Sequence, residues 1–340
     1  MLLHDLQSRK LPPVIPEGMT AAQWPAYRKQ VLELFSREVY GFTPPPPAEV
    51  RAEVLPSGVN WAGKAQECRV NLNFDTPGGE FSFPVYTIIP HSEEPQPCVV
   101  YIAFSPYPDG YYLPVEEIID NGYAVAMFCY DDVCLDDKDK WQSDGLAAKY
   151  PRTGNGTDWG QVGMWAFAAS RVMDYLQTLD QIDKKRVYVI GHSRLGKTSL
   201  WCAAQDERFA GAGVNNSGFG GMAVTRGKQG EQMCHLPVRI ERWFCKNFLN
   251  WVDKEDEMPF DQHMLAACVA PRLLAVCNAE EDLWADPQSE HISLYEASKA
   301  YELLGVKGLD GKIGYNLRAG KHFMSRADWG FYMNFFREEQ

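Results

Sequence analysis

The amino-acid sequence predicts an α/β fold, with a mostly parallel central sheet, antiparallel strands at its N-terminal edge and helices on both faces. From residue 98 onward, six short apolar segments alternate with helical segments, a pattern typical of parallel strands that are buried on both faces. Three segments of alternating polarity precede them and are separated by turn residues, which predicts antiparallel edge strands. The 340 residues, 45% of them hydrophobic, suffice for one large core.

An amphipathic helix is predicted near the start of the chain, over residues 22–40, with Trp24, Val31 and Phe35 on one side. It ends before Gly41, and the four prolines of residues 44–47 predict a stiff linker. We therefore expect residues 1–47 to be a helical segment and Pro-rich linker that pack on a single domain formed by residues 48–340.

The remaining predicted elements alternate between strands and helices. The antiparallel strands are predicted at 49–55, 66–74 and 81–89. The parallel strands are predicted at 98–104, 124–130, 187–190, 211–215, 273–277 and 313–317. The crossover helices are predicted at 114–121, 159–179, 196–205, 289–304 and 325–336.

The charge balance of the chain excludes some classes of partner. The net charge is -12, the isoelectric point is about 5.1 and the longest run of lysine and arginine has only three residues, 184–186, which argues against binding to nucleic acid. No stretch of about 18 apolar residues is present, as a membrane-spanning helix would require. We therefore expect neither a nucleic acid nor a membrane as partner.

The N-terminus and the cysteines bear on the compartment. Residues 1–10 contain no apolar core of a signal peptide. The nine cysteines are scattered, mostly within apolar segments, and show no metal-binding spacing, so they are expected to be small buried hydrophobes rather than a disulfide framework. As the sequence stands, we expect a cytoplasmic protein, or a secreted one if a signal peptide has been trimmed.

Ser193 lies at the apex of a predicted strand, sharp turn and helix over residues 186–205. The apolar strand ends before Gly191, and Gly191 and Gly196 bracket the turn. This is the pattern of a nucleophile elbow, in which a strained turn holds a hydroxyl above the sheet and beside the positive end of a helix. Ser193 is therefore a candidate nucleophile.

The same turn also supports a different interpretation. Residues 191–198 satisfy the phosphate-loop pattern G-x-x-x-x-G-K-[ST], in which backbone amides and Lys197 would bind a nucleotide phosphate. Such a loop normally follows the first strand of its domain, and a carboxylate that ends a later strand holds magnesium. Here several strands precede the loop, and the best candidate carboxylate, Asp131, lies upstream of it, so the order favours the elbow.

The histidines give a sharper criterion. Of the seven, His322 alone follows the last predicted strand and precedes the last predicted helix. In an α/β-hydrolase the nucleophile comes first, then an acid, and the histidine last. His322 is therefore the predicted base, and the predicted fold is that of an α/β-hydrolase. His192, beside the nucleophile, is expected to point away.

The acid that orients the histidine is expected in the loop after the predicted strand at 273–277. This loop carries four carboxylates, together with Trp284, which is more typical of a binding pocket than of a solvated surface. Asp282 is the preferred candidate, because its distance from the strand end suits a hydrolase acid. Glu281 and Asp286 remain alternatives at this point.

Taken together, these residues resemble the glucuronoyl methylesterases, carbohydrate esterases that cut the ester between xylan-borne 4-O-methylglucuronic acid and lignin alcohols. The likeness extends from about Trp24 to the C-terminus. The motifs that carry it are Val39-Tyr40-Gly41, the elbow at 191–197, the segment at 215–221, the segment at 259–263, the loop at 281–287, His322 and Asp328-Trp329.

The resemblance implies roles for further residues. Arg194 would stabilise the oxyanion through its backbone amide and guanidinium, and Lys197, Glu231 and Trp284 would contact the sugar. Fungal members carry their acid immediately before the Ser-Gly of the 215–221 segment, where this chain has Asn216. The acid is therefore expected from the later loop, as in some bacterial relatives.

The sequence thus predicts a serine esterase with a Ser193, His322 and Asp282 triad, acting on (4-O-methyl)glucuronic acid esters without a metal or organic cofactor. The expected partner is a small-molecule or oligosaccharide ester. One alternative within the hydrolases is a deacetylase of xylan or another sugar ester. The alternative from another class is the phosphate-loop nucleotide-binding protein.

Overall fold

A computed structural model describes residues 8–108 and 112–338 of the protein. The strands in these residues are β1 (Arg51–Asn60), β2 (Ala65–Thr76), β3 (Gly79–Pro90), β4 (Gln96–Ala103), β5 (Ala124–Cys129), β6 (Ile182–His192), β7 (Gly211–Asn215), β8 (Leu273–Ala279) and β9 (Ile313–Arg318). They form one sheet in the order β1-β2-β3-β5-β4-β6-β7-β8-β9.

The sheet is antiparallel at one edge and parallel elsewhere. The strands β1, β2 and β3 pair in antiparallel fashion, and β3 pairs with β5 in the same sense. From β5 through β4 and β6 to β9, all pairings are parallel. Every residue of β5, β7 and β8 is buried, as expected for parallel strands covered on both faces. The predicted sheet is confirmed.

Helices cover both faces of this sheet. The α-helices that lie wholly in the described residues are α1 (Trp24–Phe35), α2 (Val115–Asp120), α3 (Gly145–Lys149), α4 (Gln161–Leu176), α5 (Arg194–Gln205), α6 (Gln262–Ala267), α7 (Pro287–Leu303) and α8 (Arg326–Glu338). None of the described helices is long and apolar enough to cross a membrane.

Alternation along the strands divides the apolar core into two layers. In β4, Val100 packs in the layer with α1 and α3 to α7, whereas Val99 and Tyr101 pack in the layer with α2 and α8. Successive side chains of a strand point to opposite faces, so a fully apolar strand supplies both layers. The cysteines predicted to be buried in these segments, at positions 98, 129, 202, 268 and 277, are buried.

The N-terminal helix packs on the larger of these layers. A tight helical turn precedes α1 at Ala21–Gln23, and a wider helical turn follows it at Ser36–Tyr40, so the chain is helical over the predicted residues 22–40. The Tyr40 ring stacks on Trp201 with ring centroids 4.4 Å apart, and its hydroxyl donates to the Gly220 carbonyl at 2.9 Å. Gly41 has a φ of +84° and approaches the Trp159 backbone too closely for a side chain. A domain boundary at residue 47 stays a prediction.

Some parts of the structure were not predicted from the sequence. These are the short helices α3 and α6 and the segment of residues 216–261, which consists of short helical turns and loops. The segment of residues 216–261 lies between β7 and β8, on the side where the strands have their carboxyl ends and where Ser193 lies. The predicted absence of a signal peptide rests on residues 1–10, of which residues 1–7 lie outside the described part of the chain.

Candidate active site

Ser193 occupies a strained turn between β6 and α5. Its φ of 58° and ψ of -125° lie outside the usual regions for a residue with a side chain, which costs on the order of 1–3 kcal/mol. One hydrogen bond holds this conformation, from the Ser193 N–H to the Asn215 carbonyl at 2.8 Å. The turn is also so tight that it requires glycine at position 191, because a Cβ there would lie 2.1 Å from the Leu195 carbonyl oxygen. The turn therefore has the predicted geometry of a nucleophile elbow.

His322 connects Ser193 to a carboxylate. Its Nε2 lies 2.9 Å from the Ser193 Oγ, and its Nδ1 lies 2.6 Å from the Asp282 Oδ2. Asp282 is 4% exposed, and its second oxygen accepts a hydrogen bond from the Ala285 N–H at 3.3 Å. The loops after β6, β8 and β9 thus bring the three side chains together at the carboxyl edge of the sheet.

The two alternative acids face elsewhere. Glu281 is exposed, and its N–H is paired with the Gly320 carbonyl at 3.0 Å. Asp286 is buried at the N-terminus of α7, where it accepts hydrogen bonds from Ser289 and from the Gln229 N–H at 3.0 Å. Both carboxylates are therefore placed for other tasks, and Asp282 alone of the three contacts His322.

Arg318 holds the loop that carries His322, a role that the sequence did not suggest. Its Nε donates to Asp328 at 2.8 Å, and its Nη2 donates to the Phe323 carbonyl. The guanidinium also lies 4.0 Å from the centroid of the Phe323 ring. Asp328 is fully buried and accepts from the Ser325 N–H at 2.7 Å before α8. These contacts fix the loop on both sides of His322.

His192 packs directly behind the catalytic histidine candidate, so the expectation that it points away is wrong. The centroids of the His192 and His322 rings are 4.6 Å apart, and the His192 Nδ1 lies 2.5 Å from the Asn215 Oδ1. Burial lowers the pKa of His192 to about 3, and the nearby His322 contributes in the same direction. His192 is therefore neutral and supports the His322 ring without competing for its proton.

Arg194 is tied to a buried carboxylate that the sequence reasoning missed. Its guanidinium pairs with Asp136, which is only 3% exposed in its side chain. Asp136 also accepts from the Arg242 Nε at 2.5 Å and from the Trp243 indole N–H at 3.0 Å. The Arg194 guanidinium lies 4.7 Å from the Trp243 ring centroid. Asp136 therefore fixes the direction of Arg194 beside Ser193.

The backbone of Arg194 is also available to an anion. Arg194 is the first residue of α5, and the first N–H groups of a helix have no acceptor within the helix. The positive end of the helix dipole lies at the same place. An N–H next to the nucleophile is the usual donor of an oxyanion hole in this fold. This arrangement accords with the oxyanion role expected for Arg194.

Lys197 and Glu231 form a buried ion pair below the site. The Lys197 Nζ donates to the Ser217 carbonyl at 2.6 Å and lies 3.6 Å from the Glu231 Oε2. Burial lowers the pKa of Lys197, whereas the Glu231 carboxylate raises it. The ammonium group thus faces Ser217 and Glu231 rather than an open phosphate loop. This placement argues against the phosphate-loop interpretation of residues 191–198.

All the predicted site residues except Asp282, which lies behind His322, line one cavity of about 340 Å³. Trp284 forms part of its wall and is 41% exposed, with its backbone carbonyl accepting from the Glu231 N–H at 3.0 Å. Asn216, at the position of the fungal acid, also lines the cavity, and among the described residues its side-chain amide has no hydrogen-bond partner. The candidate residues gathered in this cavity are Ser193, Arg194, Lys197, Glu231, Trp284 and His322.

No cluster of three or more histidine, cysteine, aspartate or glutamate side chains in residues 8–108 and 112–338 is placed to hold a metal ion. One buried acid nevertheless stands out behind the cavity. Glu290 of α7 is fully buried and accepts from the Gly218 N–H at 2.5 Å and the Ser217 hydroxyl at 3.2 Å. Burial raises the pKa of Glu290 from 4.5 to about 7.

This shift predicts a pH-dependent stability. The folded protein holds the Glu290 proton more tightly than the unfolded chain, so the free energy of unfolding falls as the pH rises from about 4.5 to about 7. The shift corresponds to a loss of about 3 kcal/mol at most. In Glu290→Gln this loss disappears, and the variant gains stability relative to the unmodified protein over that range. Denaturant unfolding at pH 5 and pH 8 measures the difference.

Glu33→Gln provides a matched control, because Glu33 is exposed on α1. The same substitution there is expected to leave the pH dependence as it is in the unmodified protein. If the free energy of unfolding changed equally between pH 5 and pH 8 in Glu290→Gln and in the unmodified protein, the role assigned to Glu290 would be contradicted.

The sheet, the strained turn and the hydrogen-bonded serine, histidine and aspartate are together characteristic of an α/β-hydrolase. Within this class, the family model for glucuronyl esterases of fungi matches residues 72–305 of the chain. The chain therefore belongs to the glucuronyl esterase family, and the resemblance carried by its motifs is confirmed.

Curated relatives agree with this family. The carbohydrate esterase MZ0003, from an unknown prokaryotic organism, is 42% identical over 241 residues, which are 65% of this chain and 54% of that protein. A 4-O-methyl-glucuronoyl methylesterase of Podospora anserina is 29% identical over 318 residues, which are 89% of this chain and 60% of that protein. The chain thus spans between a half and two thirds of the length of these relatives.

Solved structures extend the likeness to the whole fold. A glucuronoyl esterase from Solibacter usitatus has a TM-score of 0.89 and 31% identity, over 96% of this chain and 97% of that one. A carbohydrate esterase family 15 glucuronoyl esterase from Teredinibacter turnerae has a TM-score of 0.88 and 27% identity, over 98% of this chain and 89% of that one. The predicted α/β-hydrolase fold is therefore confirmed.

Proposed function

We propose that this protein is a serine esterase that hydrolyses esters of (4-O-methyl)glucuronic acid. The observation that carries the proposal is the hydrogen-bonded series from Ser193 through His322 to Asp282, which opens into the cavity lined by Lys197, Glu231 and Trp284. The hydrogen-bonded series supplies a nucleophile and its base. The cavity residues supply polar and aromatic groups suited to a sugar acid. The substrate is then a small-molecule or oligosaccharide ester.

In the proposed reaction, His322 takes the Ser193 proton through Nε2 as the Oγ attacks the ester carbonyl. Asp282, at 2.6 Å from Nδ1, holds the required tautomer and stabilises the imidazolium. The Arg194 N–H and guanidinium stabilise the oxyanion, where charge develops only in the transition state. The alcohol leaves with the proton from His322. Water then attacks the acyl-enzyme by the same steps and releases the acid.

The lining of the pocket supports a uronic acid ester over an acetate ester as the substrate. In a uronate ester the acyl group is the sugar itself, so contacts from Lys197, Glu231 and Trp284 lie next to the reacting carbonyl and can strengthen as it becomes tetrahedral. In an acetate ester the acyl group is acetyl, whose methyl group is too small to use these contacts. The names of the relatives, which include a 4-O-methyl-glucuronoyl methylesterase, support the first substrate.

A comparison of substrates tests this proposal. We expect hydrolysis of benzyl or methyl glucuronate, with lower kcat/KM on acetylated xylan and nitrophenyl acetate. Trp284→Ala and Lys197→Met are expected to reduce kcat/KM on the glucuronate esters by roughly tenfold or more and to change it little on nitrophenyl acetate. Methionine is used at position 197 because Lys197 is only 3% exposed and a smaller side chain would leave a void.

Two outcomes would contradict the proposal. Preferential hydrolysis of acetylated xylan would favour the deacetylase. Equal reductions on both kinds of ester in the two variants would assign Lys197 and Trp284 to maintenance of the fold rather than to a uronate pocket.

A further inference from the structure

A second cavity, of about 320 Å³, adjoins the candidate active site and has an unusual charge. Its charged lining side chains are Lys138, Arg152, Arg239, Glu241, Arg242 and Lys246. Five of these six are cations, although the chain as a whole carries a net charge of -12. Cations concentrated in a concave site raise the local concentration of anions. We refer to this site as the cationic cavity.

Glu241 is the one anion among the charged lining residues, and three of the five lining cations form no ion pair within the described residues. Among the lining cations, Arg242 is paired with Asp136, and Lys138 lies 3.9 Å from the exposed Asp139. In the described part of the chain, Arg152, Arg239 and Lys246 have no carboxylate within 4.0 Å of their charged groups, which is the distance of an ion pair. A cluster of like charges is unfavourable by itself and becomes favourable when an anion occupies it.

Arg152 makes the strongest case, because it is half-buried. Its guanidinium lies 4.8 Å from the centroid of the Trp141 ring, and its hydrogen bond to the Trp159 carbonyl is long, at 3.4 Å. Burial lowers the pKa of Arg152 from its ordinary value, since desolvation disfavours the cation. A planar guanidinium with free N–H groups matches the two oxygens of a carboxylate.

The cationic cavity adjoins the proposed sugar pocket and shares two wall residues with it. Arg239 and Arg242 belong to the walls of both cavities. The Arg239 guanidinium lies 5.2 Å from the centroid of the Trp284 ring, and Arg242 shares Asp136 with Arg194. From these shared residues we infer that a sugar chain bound at Trp284 would reach the cationic cavity by passing Arg239.

We propose that the cationic cavity is a subsite for a second carboxylate, carried by another uronic acid unit of the same sugar chain as the ester. This inference rests on the proposed function for its substrate class, whereas the cavity and its unpaired cations stand independently of it. Sugar chains that carry one uronate branch can carry several, so a site for a free uronate would select esters on densely substituted chains.

The test compares two benzyl glucuronate esters that differ in one unit of the attached sugar chain, a free glucuronate in one and a neutral glucose in the other. We expect the unmodified protein to have the higher kcat/KM on the acidic ester. The double variant Lys138→Gln, Lys246→Gln is expected to reduce the ratio of the two kcat/KM values roughly tenfold, as for the loss of charged hydrogen bonds. Both lysines are exposed, so their replacement spares the core.

Lys29→Gln on α1 is the matched control, because Lys29 is also exposed but lies outside both cavities. It should retain the full ratio. Added salt should diminish the preference of the unmodified protein, since it screens exposed charges. An acidic-to-neutral ratio that is the same in the unmodified protein and in the double variant would overturn the subsite.

Calorimetric titration separates this inference from the proposed function. The probe is the same sugar chain with a free glucuronate but without an ester, and its binding requires no catalysis. If neither ester is hydrolysed, only the esterase proposal is rejected. The subsite would still be supported if the unmodified protein binds this probe and the double variant binds it more weakly. Binding of equal strength in both forms, or no binding, would reject the subsite.

Discussion

Ser193→Ala is expected to abolish esterase activity, with a loss of at least about 10⁴-fold in kcat, on the scale seen when a serine nucleophile is removed. The physical reason is that the Ser193 Oγ, 2.9 Å from the His322 Nε2, supplies the hydroxyl that attacks the ester in the proposed mechanism. An alkylphosphonate or sulfonyl fluoride should label the unmodified protein once, at Ser193. Intact-protein mass spectrometry measures this label, and Ser193→Ala should lack it.

Ser143→Ala provides the control for the labelling, because Ser143 is exposed on another loop. It should be labelled and should hydrolyse the glucuronate ester as the unmodified protein does. Persistence of both labelling and turnover in Ser193→Ala would show that another residue is the nucleophile. Tight, magnesium-dependent binding of ATP without esterase activity would instead reject the hydrolase mechanism altogether.

Asp282→Asn is the second substitution with a large expected effect. An asparagine presents an amide where the carboxylate accepts the His322 Nδ1–H, so the imidazole is held in the wrong tautomer and the imidazolium loses its counter-charge. We expect a loss of at least about 10²-fold in kcat with little change in KM, because the acid acts through the base and not on the bound substrate. Steady-state kinetics on benzyl glucuronate measure both parameters.

Glu281→Gln is the matched control for Asp282, since it makes the same chemical change one residue earlier in the same loop. It should keep nearly full turnover, because Glu281 faces solvent. Asp286→Asn should also lose far less in kcat, with its main effect on stability through the N-terminus of α7. A loss confined to Glu281→Gln would overturn the assignment of Asp282, and equal losses at both positions would contradict the selective role.

The core elements were predictable because their sequence signals are local. The apolar segments that form β4, β5, β7 and β8 are typical of strands buried on both faces of a sheet, so their positions could be predicted from hydrophobicity alone. The elbow was predictable because Gly191 and Gly196 leave room that a side chain would fill: a Cβ at Gly196 would lie 3.0 Å from the Asn215 carbonyl oxygen. The order of strands then placed His322 after the last one.

The supporting residues were not predictable in the same way. Asp136 lies 58 residues before Arg194 and 106 residues before Arg242, its two cationic partners. No spacing pattern connects them, and an aspartate in a charged loop usually faces solvent. The region from residue 216 to 261, which supplies Glu231, Arg242 and Trp243, lacks regular periodicity, so its path over the site depends on side-chain contacts. The same holds for the walls of the cationic cavity.

The sequence by itself determined the sheet, the turn at Ser193 and the loop that carries the acid. The sheet follows from the apolar segments, the turn from the glycines at positions 191 and 196, and the loop from its place in the order of the strands. The tertiary structure decided which carboxylate of that loop faces His322. Glu281, Asp282 and Asp286 have the same charge and nearly the same position in the chain. Asp286 is directed into the start of α7, where it caps Ser289, while the backbone pairing with Gly320 leaves the Glu281 side chain in solvent. Asp282 is the acid that the fold buries against the histidine, because the direction of a side chain depends on the hydrogen bonds of its neighbours, which come from distant parts of the sequence.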